Sequence, residues 1–324
     1  MNPSRFNNET DFLFPSMGKK TKRHFYQFLA VGIVVMLLQP AGLLKAHSFN
    51  SESQITLLAY QDTLRVLGDS ILHGSNNEVR RNANSSFKSA LERALRRDGA
   101  FAFGFDSVKT LGRVIAPDNT FKIYNWILPA FDGTGYSYFG FVQAFDKAKQ
   151  EISLFPLTDS SKTLVNPQTL KLRNDNWYGA LYYKILKNKK GGKDYYTLLG
   201  WHGVNQNTTQ KIIDVIYFNS GKPMFGYSLF KTDKVYKSRI IFEYNAQTTM
   251  SLKYEEGQKM IVFDHLSAAD AERNSSLSGP DGTYDGFRFK GDHWLYMKDI
   301  DMRTKWEPKK QPKNPPPHEP PIEK

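Results

Sequence analysis

The sequence predicts a mainly β protein, in which antiparallel, hairpin-linked strands form a large sandwich or a barrel-like meander behind an N-terminal helical hairpin. From residue 112 onward, short runs rich in Ile, Val, Phe and Tyr alternate with turn residues, a pattern typical of hairpins. Aromatic residues, which favour strands, make up 14% of the chain. The connections between the runs are too short for a crossover helix, so neighbouring strands are expected to be antiparallel.

Residues 1–48 have the layout of a leader. Four basic residues between 19 and 23 precede an apolar run over 25–38, and small residues before position 49 predict cleavage after Ser48. Met17 is an alternative start. The competing interpretation is an uncleaved membrane anchor, but Gln39 and Pro40 interrupt the run before it reaches the roughly 20 residues that a span needs.

Residues 49–99 are predicted to form a helical hairpin packed on the β domain. Two apolar stripes recur at helical spacing. The first consists of Leu57, Tyr60, Leu64, Leu67 and Ile71, and the second of Val79, Ala83, Phe87, Ala90, Leu91 and Ala94. Such stripes are typical of helices that turn one face to a core.

The β domain is predicted over residues 100–304. The expected strands lie near 112–116, 121–128, 136–145, 151–157, 179–187, 194–201, 210–218, 223–230, 238–246, 248–255, 258–264, 284–289 and 294–301. In the hairpin at Glu256 and Gly257, a two-residue turn would place Leu252 opposite Ile261. Residues 305–324 contain seven of the 16 prolines and are expected to be an extended, disordered tail.

Composition favours an exported bacterial protein. The chain has no cysteine, which excludes thiol catalysis, cysteine-ligated zinc and anchoring by a lipidated cysteine. A cysteine-free exported protein fits a bacterial envelope, in the periplasm or at the cell surface. The formal charge of +12 suits an anionic partner, and export argues against nucleic acid. Five lysines lie between positions 184 and 193. They either keep a hairpin loop soluble or contact an anionic surface.

No cofactor is predicted, because no complete phosphate-binding loop or Gly-x-Ser-x-Gly motif occurs in the sequence. The β domain holds His202, His265 and His293 near strand ends. No two of them have the spacing of metal ligands on one strand, so no metal site is predicted.

Asp214 is the residue that fits its pattern least. Alternation along the strand places it on the same face as Ile212 and Ile216, where a carboxylate is unfavourable unless it is paired. One interpretation is a general acid that acts with a second carboxylate such as Asp264. The other is an edge position, a bulge, or a structural ion pair with a lysine or arginine.

Aromatic and histidine side chains supply the remaining candidate site. A platform on which sugar rings stack could be formed by four tryptophans and four tyrosines: Trp126, Trp177, Trp201, Trp294, Tyr136, Tyr138, Tyr195 and Tyr196. The ligand-binding candidates are Trp126, Trp201, Trp294, His202 and His265. The competing interpretation is that the tryptophans belong to the core, since each buries a large apolar area.

Four segments carry a resemblance to a known family. They are FKIYNW at 121–126, YFGF at 138–141, YYTLLGW at 195–201 and MIVFDHL at 260–266. Together they resemble a family of exported β-rich proteins of Gram-negative bacteria that has no characterised activity, over residues 100–303. The resemblance implies export and a β fold, and it transfers no functional residue.

Two functions follow as hypotheses. The first is a non-catalytic exported module that binds a glycan or an envelope protein, or maintains the envelope, with no stable membrane span after leader cleavage. The second is a hydrolase of glycan or cell-wall material that uses Asp214 and a second carboxylate.

Overall fold

A computed structural model describes residues 51–146, 148–232, 235–267 and 278–302, and it confirms a mainly β fold preceded by a helical hairpin. Sixteen strands in these ranges form three sheets of four, six and six strands. The sheets are open and stacked, so the fold is a sandwich with a third layer. The predicted leader and the predicted tail at 305–324 lie outside the described residues.

The helical hairpin consists of α1 (Ser51–His73) and α2 (Asn77–Leu95). Asn76 begins the second helix, because its side-chain Oδ1 accepts the backbone N–H of Val79 at 3.0 Å. Both apolar stripes face the first sheet, with one exception. Val79 is 41% exposed, so its place in the second stripe was wrong.

The strand bounds are as follows. The first sheet contains β1 (Gly112–Ile115), β2 (Phe121–Pro129), β3 (Tyr136–Asp146) and β4 (Glu151–Thr158). The second contains β5 (Leu172–Arg173), β6 (Leu181–Lys190), β7 (Lys193–Gly203), β8 (Thr208–Asn219), β9 (Lys222–Phe225) and β12 (Ile240–Asn245). The third contains β10 (Phe230–Thr232), β11 (Val235–Lys237), β13 (Leu252–Glu255), β14 (Met260–Leu266), β15 (Pro280–Lys290) and β16 (His293–Met297).

Three hydrophobic clusters hold the layers together. Phe87 on α2 packs with Trp126 on the first sheet. A second cluster joins the first and second sheets and includes Phe121 and Ile212. A third joins the second and third sheets and includes Ile213 and Phe287. The order of layers is therefore helices, first sheet, second sheet, third sheet.

Stacking on both sides explains why several strands lack a polar face. In β2, Phe121 and Ile123 face the second sheet, whereas Tyr124 and Trp126 face the helices. All residues from Phe121 to Trp126 are buried. A strand covered on both faces does not alternate between apolar and polar residues, and in β2 even Lys122 and Asn125 are buried.

On the side opposite β7, β8 pairs with two different strands, and the change occurs at Asp214. Residues up to Ile213 pair with β12, and residues from Ile216 pair with β9. Ile213 lies opposite Ile240, so the same register continues to Asp214 and Arg239. The fork leaves space beside Asp214 for the arginine side chain.

Three expectations about the strands were wrong. The strand expected at 223–230 divides at Gly226, which has a φ of +79°, and the chain passes there from the second sheet to the third. As a result β10 pairs parallel with β16, a long-range contact that local patterns do not reveal. The turn after β13 spans 256–259, so Leu252 lies opposite Phe263 rather than Ile261. A shift of two residues leaves each side chain on its face.

Candidate functional site

Asp214 forms a buried ion pair. Its Oδ2 lies 2.8 Å from Nε of Arg239, and both side chains have 0% exposure. Asp214 faces the first sheet with Ile212 and Ile216, as the strand alternation predicted. The arrangement matches the interpretation of a structural pair with arginine.

The groups around the pair bind both charges. The hydroxyl of Tyr182 donates to Oδ2 of Asp214 at 3.2 Å, and the backbone N–H of Val215 donates to Oδ1 at 2.8 Å. Arg239 Nη1 donates to the carbonyl of Pro167 at 2.6 Å. Nη2 of Arg239 has no hydrogen-bond partner among the described residues. Burial, followed by the nearby Asp214 charge, raises the pKa of Tyr182 well above its usual value.

Asp214 and Asp264 are not brought together. Asp214 faces the first sheet from the second, whereas Asp264 lies on β14 in the third sheet. Oδ2 of Asp264 accepts the backbone N–H of Ser251 at 2.7 Å. No glycosidase-like pair of these two carboxylates exists in the fold.

Two of the candidate tryptophans belong to the core. Trp126 is fully buried, and its Nε1 donates to Oδ1 of Asn84 on α2 at 2.7 Å. Trp294 is also buried, and its Nε1 donates to the hydroxyl of Thr197 at 2.9 Å. Neither ring is available for stacking on a ligand.

His265 lies on β14 in the third sheet. Its Nδ1 is 2.7 Å from Oδ2 of the buried Asp285, and the Tyr296 hydroxyl donates to the same oxygen. The hydrogen bond with Asp285 raises the pKa of His265. Its Nε2 lies 3.8 Å from Oδ2 of Asp281. This arrangement connects β14 to β15.

Trp201 and His202, at the end of β7, both contact tyrosines of β3. Trp201 is partly exposed and contacts Tyr136 edge-to-face, with ring centroids 5.4 Å apart. His202 stacks on Tyr138 with centroids 4.5 Å apart. Its Nδ1 donates to the carbonyl of Gly179 at 2.6 Å, because a carbonyl can only accept. Burial lowers the pKa of His202, against the opposing effect of that hydrogen bond.

A closed series of contacts connects His202 to Asp159. The backbone N–H of Gly179 donates to Oδ1 of Asp159 at 3.1 Å, and that of Tyr138 donates to Oδ2 at 3.4 Å. The hydroxyl of Tyr138 donates to the carbonyl of Gly203 at 3.1 Å. These contacts fix Tyr138 between the first and second sheets.

Tyr138 and Asp159 form one wall of an open cavity of about 340 Å³, which we call the Tyr138 cleft. Its lining includes Lys88, Tyr138, Thr158, Asp159, Lys162 and Thr163. Lys88 comes from α2, and the residues from Asp159 onward form the turn after β4. The cleft therefore lies between α2 and the edge of the first sheet, and His202 of the second sheet packs behind its Tyr138 wall.

The sequence did not reveal Lys88, Asp159 or Lys162 as site residues. Lys88 follows a buried stripe residue of α2 and reads as part of the helix's polar side. The residues 159–163 read as a turn between strands. Neither pattern contains a signal for a ligand, because the two segments meet only in the folded chain.

No helix among the described residues has both the length and the apolar character needed to cross a membrane. Within the same ranges, no three His, Asp or Glu side chains are grouped so that they could hold a metal ion.

Comparisons of the chain with models of protein families, with curated proteins and with solved structures found no match.

Proposed function

We propose that the chain is an exported, non-catalytic module that binds a glycan or an envelope protein through the Tyr138 cleft. The observation that carries this proposal is the cleft itself. Its volume of about 340 Å³ falls within the range of small-molecule sites, which combine apolar walls with a few polar groups.

The cleft lining suits a hydroxylated ligand. Ser137, Thr158, Ser160 and Thr163 contribute hydroxyl groups, each of which can donate and accept a hydrogen bond. Phe139 contributes partly exposed aromatic surface, against which the apolar face of a sugar ring can pack. Tyr138 is only 2% exposed, so it supports the wall from behind. Tyr138 is held in place by Asp159, His202 and Gly203, so the wall is pre-organised for binding.

The non-catalytic part of the proposal is supported by the state of Asp214. Arg239 and Tyr182 already bind its Oδ2, and Val215 binds its Oδ1. A carboxylate held in this way stabilises the sheet fork rather than serving as a general acid. No observation favours the hydrolase hypothesis over binding.

Cleft binding is tested by calorimetric titration of the full chain with a panel of bacterial-envelope oligosaccharides. Thr158→Trp would fill the cleft from its exposed end and should abolish binding. Ser153→Trp is the matched control, because Ser153 is also an exposed residue of β4 outside the cleft lining. Equal binding by the two variants would show that the ligand lies elsewhere.

Export is tested separately by mass spectrometry of the protein recovered from a Gram-negative host. We expect a mature chain that begins at Phe49 and is recovered with the periplasmic or surface fraction. A chain that retains Met1 or Met17 would contradict leader cleavage.

A further inference from the structure

We infer that the Tyr138 cleft binds an anion, specifically a sugar that carries a carboxylate or phosphate group. The inference rests on the proposed binding role of the cleft and adds the charge of its ligand. It comes from the state of two lysines, Lys88 and Lys162, that line the cleft from different layers of the fold.

Within the described ranges, the two lysines lack a counter-charge. Among the residues that the structure describes, no carboxylate lies within 4.0 Å of the amine of Lys88 or Lys162. Lys88 is partly buried, whereas Lys162 is exposed. An unpaired ammonium group at a partly enclosed position is a ready partner for an anion, because charge-assisted hydrogen bonds are stronger there than in open water.

The carboxylate in the cleft lining is occupied by the backbone. Oδ1 of Asp159 accepts the N–H of Ser161 at 2.9 Å and of Gly179 at 3.1 Å, and Oδ2 accepts the N–H of Tyr138. These three donors partly compensate its charge and fix its orientation. With two lysines and one carboxylate, the described lining carries a net positive charge.

The most lysine-rich segment of the chain is a useful contrast. On the β6–β7 hairpin, Lys184 pairs with Glu256 at 3.3 Å, and Lys190 pairs with Asp292 at 3.3 Å. Lys187 lies 2.6 Å from Asp118 and 2.8 Å from Asp194. The protein neutralises much of this cluster itself. The segment with the highest charge in the sequence is therefore a poorer anion site than the cleft.

The lining hydroxyls identify a sugar as the carrier of the anion. Thr158 and Thr163 add neutral donors and acceptors beside the lysines, which a bare inorganic anion would leave largely unused. Sugar acids and sugar phosphates share this combination of hydroxyl groups with one negative charge, so both belong in the test.

The experiment compares matched ligands by calorimetry of the full chain in 50 mM salt. The anionic arm uses glucuronate- and galacturonate-containing oligosaccharides and sugar phosphates, and the neutral arm uses the corresponding uncharged sugars. Inorganic phosphate is titrated separately. We expect the anionic sugars to bind about 10-fold tighter than the neutral ones, and 200 mM salt to reduce this difference.

Three variants locate the charge. Lys88→Gln and Lys162→Gln should each weaken binding of the anionic sugar by about 5- to 10-fold and reduce the ratio of anionic to neutral affinity. Lys189→Gln is the control, because Lys189 is an exposed lysine on the β6–β7 hairpin away from the cleft. All three side chains have some exposure, and the melting temperature should confirm that folding is intact.

The possible failures are distinguishable. Equal affinity for anionic and neutral sugars would overturn the charge inference and leave the proposed function in place. The same conclusion about charge would follow if Lys189→Gln weakened binding as much as the cleft variants. Binding of inorganic phosphate as tightly as the sugar phosphates would overturn the choice of a sugar. Failure of every sugar to bind would overturn the proposed glycan-binding role itself.

Discussion

Asp214→Asn is the substitution whose effect the structure specifies most sharply. Asparagine keeps the size of the side chain and its acceptor for the N–H of Val215, but it removes the counter-charge of Arg239. Both side chains of the pair have 0% exposure. Removing one member of a buried pair leaves the other charge uncompensated, so we expect the free energy of unfolding to fall by about 3–5 kcal/mol.

The environment of Arg239 supports a value in that range. Apart from Asp214, its guanidinium donates to the carbonyl of Pro167, and Nη2 has no partner in the described ranges. The Cβ of a residue other than glycine at position 226 would lie 3.3 Å from that Nη2. The arginine therefore has little room to find a new acceptor when the carboxylate is lost.

A double variant separates the charge from the packing. In Asp214→Leu with Arg239→Met, both charges are replaced by apolar groups, and stability should return to within about 1 kcal/mol of the starting protein or exceed it. Glu256→Gln is the surface control. Its partner Lys184 is exposed, so the change should stay below about 1 kcal/mol.

The assay is equilibrium unfolding in urea at pH 7, followed by tryptophan fluorescence, with the slope of the transition compared between variants. A change within about 0.5 kcal/mol for Asp214→Asn would be typical of an exposed site and would refute the buried pair. A stabilised asparagine variant would indicate that the acid is retained for chemistry at the expense of stability, and would revive the hydrolase hypothesis.

Three further predictions concern contacts between layers and are measured by the same urea unfolding. Burial would raise the pKa of Asp118, but hydrogen bonds to its carboxylate, above all from Lys187 of β6, hold the pKa well below 3.8. The stabilisation that the Asp118 carboxylate contributes is present above pH 3.8 and is lost as the pH falls toward its lower pKa in the folded state. Asp118→Asn should therefore cost about 1–3 kcal/mol at pH 7, and the loss of stability in acid should be shallower in this variant. Burial lowers the pKa of Lys122 from 10.5 to about 8. The Lys122 amine therefore binds its proton more tightly in the unfolded chain, and the charged amine destabilises the folded state at pH 7. Lys122→Met should therefore add about 1–3 kcal/mol at pH 7, with the gain fading by pH 10.5. Asn84→Ala leaves Nε1 of Trp126 without its acceptor and should cost about 1–3 kcal/mol, whereas the exposed Asn82→Ala should change little.

Local patterns in the sequence were enough for most of the elements, but not for β5, for β11 or for the break between β9 and β10. Helical spacing predicted α1 and α2, and short apolar runs between turn residues predicted most strands within a few residues of their ends. The misplaced polarity of Asp214 was visible as well, because alternation along β8 depends only on its neighbours in the chain. The sequence did not identify Arg239 as the partner of Asp214, because the two residues are 25 positions apart. They meet only where β8 exchanges β12 for β9.

The tertiary structure decided which faces are covered and which groups meet. Trp126 and Trp201 look alike in sequence, yet one is sealed beneath the helices and the other is partly exposed. The Tyr138 cleft joins Lys88 on a helix to the turn after β4, and its wall is held by His202 from another sheet. Periodicity and turn chemistry act over a few residues, so the sequence alone specified strands and helices. The stacking of three sheets depends on contacts between distant residues, and the candidate site arises from that stacking.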